Sequence, residues 1–212
     1  MAQHGPDKGW PDAGLQKVSR KTLANARGSE KLITSRDHRE RSTISLMDNS
    51  DLSALWEKHT EHEFATRDTQ ATLDTMVEDA YVNHIPVMTG AHGKDALRRF
   101  YSSDFIPKMP PDTTLTPVSR TVGKDQLVDE MIFSFTHTME MPWMLPGVAP
   151  TNKRVEVPLV VIVHFRDGKL AHEHIYWDQA SVLKQIGLLN DPTLPVCGVE
   201  AARKVLTGAG QR

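Results

Sequence analysis

The feature that most constrains this fold is the stretch from Val155 to Leu189. It begins with an apolar, β-branched run, Val155-Glu-Val-Pro-Leu-Val-Val-Ile-Val-His-Phe165. It turns at Arg166-Asp-Gly-Lys169 and returns as Leu170-Ala-His-Glu-His-Ile-Tyr-Trp-Asp178. Two extended runs joined by Asp-Gly predict a β-hairpin, because the turn needs positive φ and glycine adopts it readily. The returning run holds His172, Glu173, His174, Tyr176, Trp177 and Asp178 within seven residues. A strand buried on one face has little packing use for so many titratable and aromatic groups. It is therefore the candidate site-forming strand. Gln179 to Ile186 reads as a helix, capped at its start by Asp178 and closed by Gly187 in the left-handed conformation.

Ahead of the hairpin the periodicity changes twice. Asn49-Ser50-Asp51 offers cap oxygens to a helix in which Leu52, Leu55, Trp56 and His59 recur at helical spacing towards Phe64. Asp68 caps a second helix with Ala71, Leu73, Met76 and Val77, and Lys94 to about Asp104 forms a third, with Ala96, Leu97, Phe100 and Tyr101 on one face. Between these two, Tyr81-Val-Asn-His-Ile-Pro86 reads as a short extended piece, because a residue before proline avoids helix. After Pro107 to Pro111 the pattern is β: Thr113 to Val122, then a long strand from Leu127 to about Met141. Its alternation sets Asp129, Met131, Phe133, Phe135, His137, Met139 and Met141 on the buried face, with Asp129 expected near an exposed strand end. Three helices followed by four mainly antiparallel strands is an α+β order.

The remaining constraints are exclusions. Residues 1–46 are rich in Gly, Pro, Ser, Lys and Arg. Nine Lys/Arg against five Asp/Glu give +4, which leaves −6 for residues 47–212 of the total −2. That composition predicts a disordered basic tail, and Met47 is a candidate alternative start. The near-neutral total gives no reason to expect nucleic acid or an anionic membrane as partner. The lone Cys197 makes no internal disulfide and requires no oxidising compartment, and no stretch approaches a membrane span, so a cytoplasmic protein is the expectation. Without a Gly-rich phosphate loop, no nucleotide cofactor is expected. His172 and His174 project from one strand face, but no third ligand accompanies them, so no metal is expected either.

The helices, Tyr81-Val-Asn-His with Thr89-Gly90 and Gly93 before a helix, and the ending Asp167-Gly-Lys-Leu with Tyr176-Trp-Asp-Gln-Ala-Ser-Val-Leu-Lys-Gln-Ile-Gly187 resemble the nuclear transport factor 2-like superfamily. Within it they resemble the SnoaL-like polyketide cyclases and ketosteroid-isomerase-like proteins, over about Asp51 to Asn190. The resemblance implies a cone-shaped, curved, mainly antiparallel sheet around a deep apolar pocket closed by the N-terminal helices. It also implies a domain at 47–190, a C-terminal extension at 191–212 with a short helix from Gly198 to Leu206, and a homodimer. Aligning the Asp-Gly-Lys turns puts the acid/base aspartate of the cyclases on Ile175 and their pocket histidine on Val161, neither of which moves a proton.

Carried through the same alignment, Ala171, Glu173, Ile175 and Trp177 face inward. A simple two-residue hairpin instead pairs Val161 with His174, and only a bulge reconciles the two. With Glu173 inward, an apolar pocket raises its pKa and suits it to general base work. The other expected catalytic groups are His137, His174 and Tyr176, as donors to a developing enolate oxygen. His84, Trp143, Trp177, Phe133 and Phe135 are the expected substrate-binding wall, with Trp143 carried by an apolar, Pro-rich loop. These residues point to an isomerase, cyclase or lyase acting on an apolar carbonyl compound. The alternatives are a non-catalytic ligand-binding or dimerisation module and a hydrolase of lactones or epoxides. Convergence of Glu173, His137 and Tyr176 on one cavity is the test of the enzyme reading.

Overall fold

The computed structural model describes residues 49–209, so the basic segment 1–46 and the alternative start at Met47 lie outside the described residues. Helix α1 (Asn49–Thr60) runs into a π-helical turn, Glu61–Ala65, and is followed by α2 (Thr69–Asp74). Asp68 caps α2 by accepting the N–H groups of Gln70 and Ala71, two donors that a helix start leaves open. Leu52, Trp56, His59 and Glu63 are the buried residues of the first arm. Their spacing makes a single helical stripe.

Next come β1 (Met76–His84) and β2 (Thr89–His92), then α3 (Lys94–Arg99) with a π-helical turn, Phe100–Phe105, and a 3-10 turn, Ile106–Lys108. The strands β3 (Thr114–Val122), β4 (Gln126–Thr136), β5 (Arg154–Arg166) and β6 (Lys169–Trp177) follow, and α4 (Gln179–Gln185) and α5 (Glu200–Ala209) complete the order. The curved sheet has six strands in the order β2-β1-β6-β5-β4-β3. Every neighbour is antiparallel except β1 with β6. β5 is the spine: Val155, Val157, Leu159, Val161, Val163 and Phe165 are buried at every second position, the period of a strand with one face on the core. The core fills the space between that face and the helical arms, from Leu52 and Trp56 through Leu97 and Phe100 to Phe133.

The hairpin forms as expected, with Asp167 and Gly168 at φ 54° and 71°, the doubly positive turn that matches strand twist. Asp178 caps α4 through the Ser181 N–H, and Gly187 has φ 83°. Four expectations are corrected. Among the described residues the strands number six and not four: Met76 and Val77, expected in the second helix, open β1, and Thr89–His92, where no strand is expected, forms β2. The β1–β2 hairpin therefore precedes the third helix. β4 stops at Thr136 and not near Met141, because its partner β5 begins at Arg154, the residue opposite Thr136. Asp129 is buried, accepting Trp56 Nε1–H at 2.8 Å and both Nε and Nη2 of Arg120. Finally, α5 spans Glu200–Ala209 in place of Gly198 to Leu206. Among the described residues no helix is long and apolar enough to cross a membrane.

Candidate active site

Helical arms and sheet enclose a narrow cavity of about 40 Å³. Trp56, Phe100, Phe105, Phe133 and Trp143 supply most of its aromatic wall, and Glu63, His84, Tyr101 and Glu173 interrupt it with polar groups. That is the usual make-up of a small-molecule site, apolar with a few fixed polar groups.

The orientation of Glu173 comes from a bulge. Near the turn Phe165 pairs with Leu170, but further along His164 pairs with His172 and Val161 with Ile175. Ala171 is left without an opposite partner, and the register moves by one residue. Without that extra residue Glu173 would face the other side of the sheet. As it is, Glu173 is 3% exposed. Burial pushes its carboxyl up from the usual range, and the facing His59 only partly offsets this.

His59 is the centre of the polar cluster. Its Nε2 lies 3.2 Å from Glu63 Oε1 and 3.1 Å from Glu173 Oε1. The N–H is directed at Glu63, so the approach to Glu173 is a charge contact that leaves Glu173 Oε1 without a directed hydrogen bond. On the other side, the Thr75 hydroxyl donates to the Thr72 carbonyl at 2.6 Å, so its lone pair accepts from His59 Nδ1, also at 2.6 Å. That relay keeps Nδ1 protonated. Burial alone would lower the His59 pKa, but the charges and hydrogen bonds of Glu63 and Glu173 outweigh it and carry it up to about 10. His59 is therefore an imidazolium at neutral pH.

Both π-helical turns serve this cluster, since one carries Glu63 and the other Tyr101. Widened turns of this kind re-aim side chains and recur at functional sites. Tyr101 is 1% exposed, and its hydroxyl is near Glu63 without a well-formed hydrogen bond. Burial first, and then the negative charges of Glu63 and Glu173, hold its proton on well above the ordinary phenol range. It is a donor at any physiological pH. The ligand atoms of His59, Glu63 and Glu173 also lie within 4.8 Å of one another, so these three are the side chains among the described residues that could hold a metal ion.

Of the residues expected from sequence, Glu173, His84, Trp143 and Phe133 line the cavity. Phe135 is fully buried behind Phe133, with ring centroids 5.3 Å apart. Trp177 packs at 5.7 Å from the His84 ring and donates its Nε1–H to Gln179. Three expected donors are elsewhere. His137 lies beyond the end of β4, where Nδ1 meets Thr151, and it is not among the cavity residues. His174 and Tyr176 share the opposite sheet face from Glu173. His174 contacts the Tyr81 hydroxyl at 3.1 Å in a stack with His172, and Tyr176 is 40% exposed. The expected convergence of Glu173, His137 and Tyr176 does not occur. His59, Glu63 and Tyr101 take that place. The signal that could have found two of them is the stripe Leu52, Trp56, His59, Glu63, in which an acid occupies an apolar position four residues after a histidine.

The sequence model of the SnoaL-like polyketide cyclases matches residues 58–186, more than half of the chain. The chain belongs to the SnoaL-like polyketide cyclase family. Solved structures agree on the nuclear transport factor 2-like fold. TsrD from Streptomyces laurentii is 22% identical with a TM-score of 0.52, over 68% of this chain and 99% of that one. A protein described as a SnoaL-like polyketide cyclase from Jannaschia sp. CCS1 is 18% identical with a TM-score of 0.55, over 70% and 96%. An NTF2-like protein of unknown function from Burkholderia pseudomallei K96243 is 17% identical with a TM-score of 0.50, over 66% and 99%. No curated protein matches by sequence. Ile175, where the resemblance implies the acid/base aspartate of the cyclases, is an apolar cavity residue, and the ionisable group is Glu173, one inward position before it.

Proposed function

We propose that this SnoaL-like protein is an isomerase, cyclase or lyase that moves a proton at the carbon beside a carbonyl in an apolar small molecule. The observation that supports this is Glu173: a buried carboxyl on a cavity wall, with a raised pKa and Oε1 3.1 Å from His59 Nε2. Glu173 as carboxylate takes the proton from carbon, and the C–H electron pair moves into the new C=C bond. The carbonyl oxygen becomes an enolate, which the Tyr101 hydroxyl stabilises by donation. The proton on Glu173 then returns to a different carbon, giving an isomer. Alternatively the carbanion adds to a second carbonyl of the same molecule, whose oxygen takes the proton, giving a ring. His59, held charged by Thr75 and Glu63, opposes the negative charge that builds during the first step.

The test is deuterium exchange beside the carbonyl in a panel of apolar ketones and enones, followed by mass spectrometry. Wild-type protein accelerates exchange of a ligand that fits and the Glu173→Gln variant does not. Equal exchange by both removes Glu173 from the chemistry. A second reading, a non-catalytic binding module, is favoured by Ile175 standing where the cyclases have their aspartate. It predicts binding without exchange.

A further inference from the structure

His59, Glu63 and Glu173 have the composition and spacing of a metal-ligand set. His59 and Glu63 are related as i and i+4 on the first helical arm, so their side chains project from one face on successive turns. Glu173 meets them from β6, on the inward face that the bulge at Ala171 gives it. Donor atoms that share one zinc-like ion, each about 2.1 Å from it and about 90° to 110° apart, stand about 3.0 to 3.4 Å from each other. His59 Nε2 lies 3.2 Å from Glu63 Oε1 and 3.1 Å from Glu173 Oε1, and the three ligand atoms lie within 4.8 Å of one another. A single proton on Nε2 is directed at Glu63 and leaves Glu173 with a charge contact alone. An ion in the same place takes a lone pair from all three.

Groups outside the set fit the same occupant. The Thr75 hydroxyl, fixed by donating to the Thr72 carbonyl, accepts from His59 Nδ1 at 2.6 Å, so the ring turns Nε2 towards the carboxylates. Imidazoles that bind metal nearly always have their other N–H held in this way. The buried Tyr101 hydroxyl is near Glu63 without a well-formed hydrogen bond, and a water on the open side of an ion would complete it. Glu63, Glu173 and Tyr101 all line the narrow cavity of about 40 Å³, enough for such a water, which needs about 10 to 15 Å³. Half-buried Thr60, Phe64 and Leu115 also line it and mark the way in. Two carboxylates and a divalent ion sum to zero charge, the balance that burial favours. One imidazole with two carboxylates suits first-row ions such as Zn²⁺, Fe²⁺ and Mn²⁺, whereas Ca²⁺ and Mg²⁺ take oxygen shells.

We propose that His59 Nε2, Glu63 and Glu173 form a site for one divalent first-row transition-metal ion, with Thr75 holding the imidazole in place. On binding, the Nε2 proton leaves to solvent and the ion takes its position. The ion engages the carboxylate that takes the proton from carbon, so, resting on the acid–base reading of Glu173, the metal-loaded form is the inactive one.

The full chain, stripped with EDTA, is titrated with Zn²⁺ against a chromophoric chelator and with Co²⁺ followed by visible absorption. Wild-type protein binds one ion per chain, gives the Co²⁺ spectrum of a four- or five-coordinate ion, and gains Tm with Zn²⁺. Thr75→Val weakens Zn²⁺ about 10- to 100-fold, the usual cost of an outer partner, and Glu63→Gln and His59→Gln each weaken it by at least about 100-fold. Two ligand variants are used so that loss of fold in one leaves the other decisive. The stacked outer-face histidines are the competing imidazoles, and the double variant His172→Ala with His174→Ala keeps wild-type affinity. No binding by wild-type protein, affinity unchanged in both ligand variants, or affinity lost in the outer-face double variant overturns the proposal. Saturating Zn²⁺ abolishes deuterium exchange and EDTA restores it; exchange that continues in the loaded protein overturns the engagement of Glu173. Absence of exchange in EDTA-treated protein, with metal binding through these ligands intact, refutes the acid–base reading alone.

Discussion

His59 Nε2 and Glu173 Oε1 are 3.1 Å apart, in side chains that are 0% and 4% exposed. One comes from the first helix and the other from the last strand, so their contact depends on closure of the helical arm over the sheet. Alone, each would lose its charge to burial. Together with Glu63 they sustain it, and removing one partner leaves a buried charge uncompensated.

This cluster makes stability depend on pH. The folded pKa of His59, about 10, is above its unfolded value of 6.5, so the folded state holds a proton that the unfolded state releases. The contribution is full below pH 6.5 and disappears as pH rises towards 10. Glu173, whose pKa is also raised, acts with the same sign from the ordinary carboxylate range upwards. Thermal unfolding from pH 6 to 10.5 should show a falling Tm, and His59→Gln should flatten the slope. A Tm that rises through this window contradicts the charged His59.

The pH dependence of turnover follows from the same groups. Exchange rises as Glu173 loses its proton, above the usual carboxylate value of 4.5, and declines near pH 10 as His59 deprotonates. Glu173→Gln lowers the rate by roughly 10²- to 10⁴-fold, the usual range for a general base. His59→Gln removes the alkaline limb. Rate profiles of the three proteins check both points, and an alkaline limb kept in His59→Gln assigns that titration to another group.

Residues on the outer sheet face should not affect chemistry. His174→Ala and Tyr176→Phe should keep exchange rates within about twofold, because neither reaches the substrate. Side-by-side kinetics with Glu173→Gln measure this. A loss comparable to that of Glu173→Gln would return these two residues to the site.

Asp129 is a stability residue. It accepts from Trp56 and twice from Arg120 while only 6% exposed. Asp129→Ala should cost about 3 kcal/mol, since it leaves a buried indole donor and a guanidinium without partners. Arg120, whose side chain is 28% exposed, should cost about 1 kcal/mol as Arg120→Met, because solvent screens what is lost. Urea denaturation provides both numbers, and a smaller effect at Asp129 than at Arg120 would reverse the assignment.

Local patterns in the chain determined the hairpin and its doubly positive turn, the inward set of β5, the caps at Asp68 and Asp178, and the α+β class. Each depends on a neighbour within a few residues, through periodicity, turn chemistry or a capping oxygen. Each of the four cavity residues legible in sequence had its own local signal: Glu173 stands on the strand returning from a strong turn, Phe133 in the alternation of β4, Trp143 in an apolar, Pro-rich loop and His84 in the short extended piece before Pro86. The tertiary structure decided what depends on contacts between distant segments. The bulge at Ala171 set which face Glu173 takes, the start of β5 at Arg154 ended β4 at Thr136 and left His137 outside the cavity, and the packing of α1 brought His59 and Glu63 to Glu173. A histidine and a glutamate in a helical stripe look like any surface pair until another element covers them, and only burial turns them into a charged cluster.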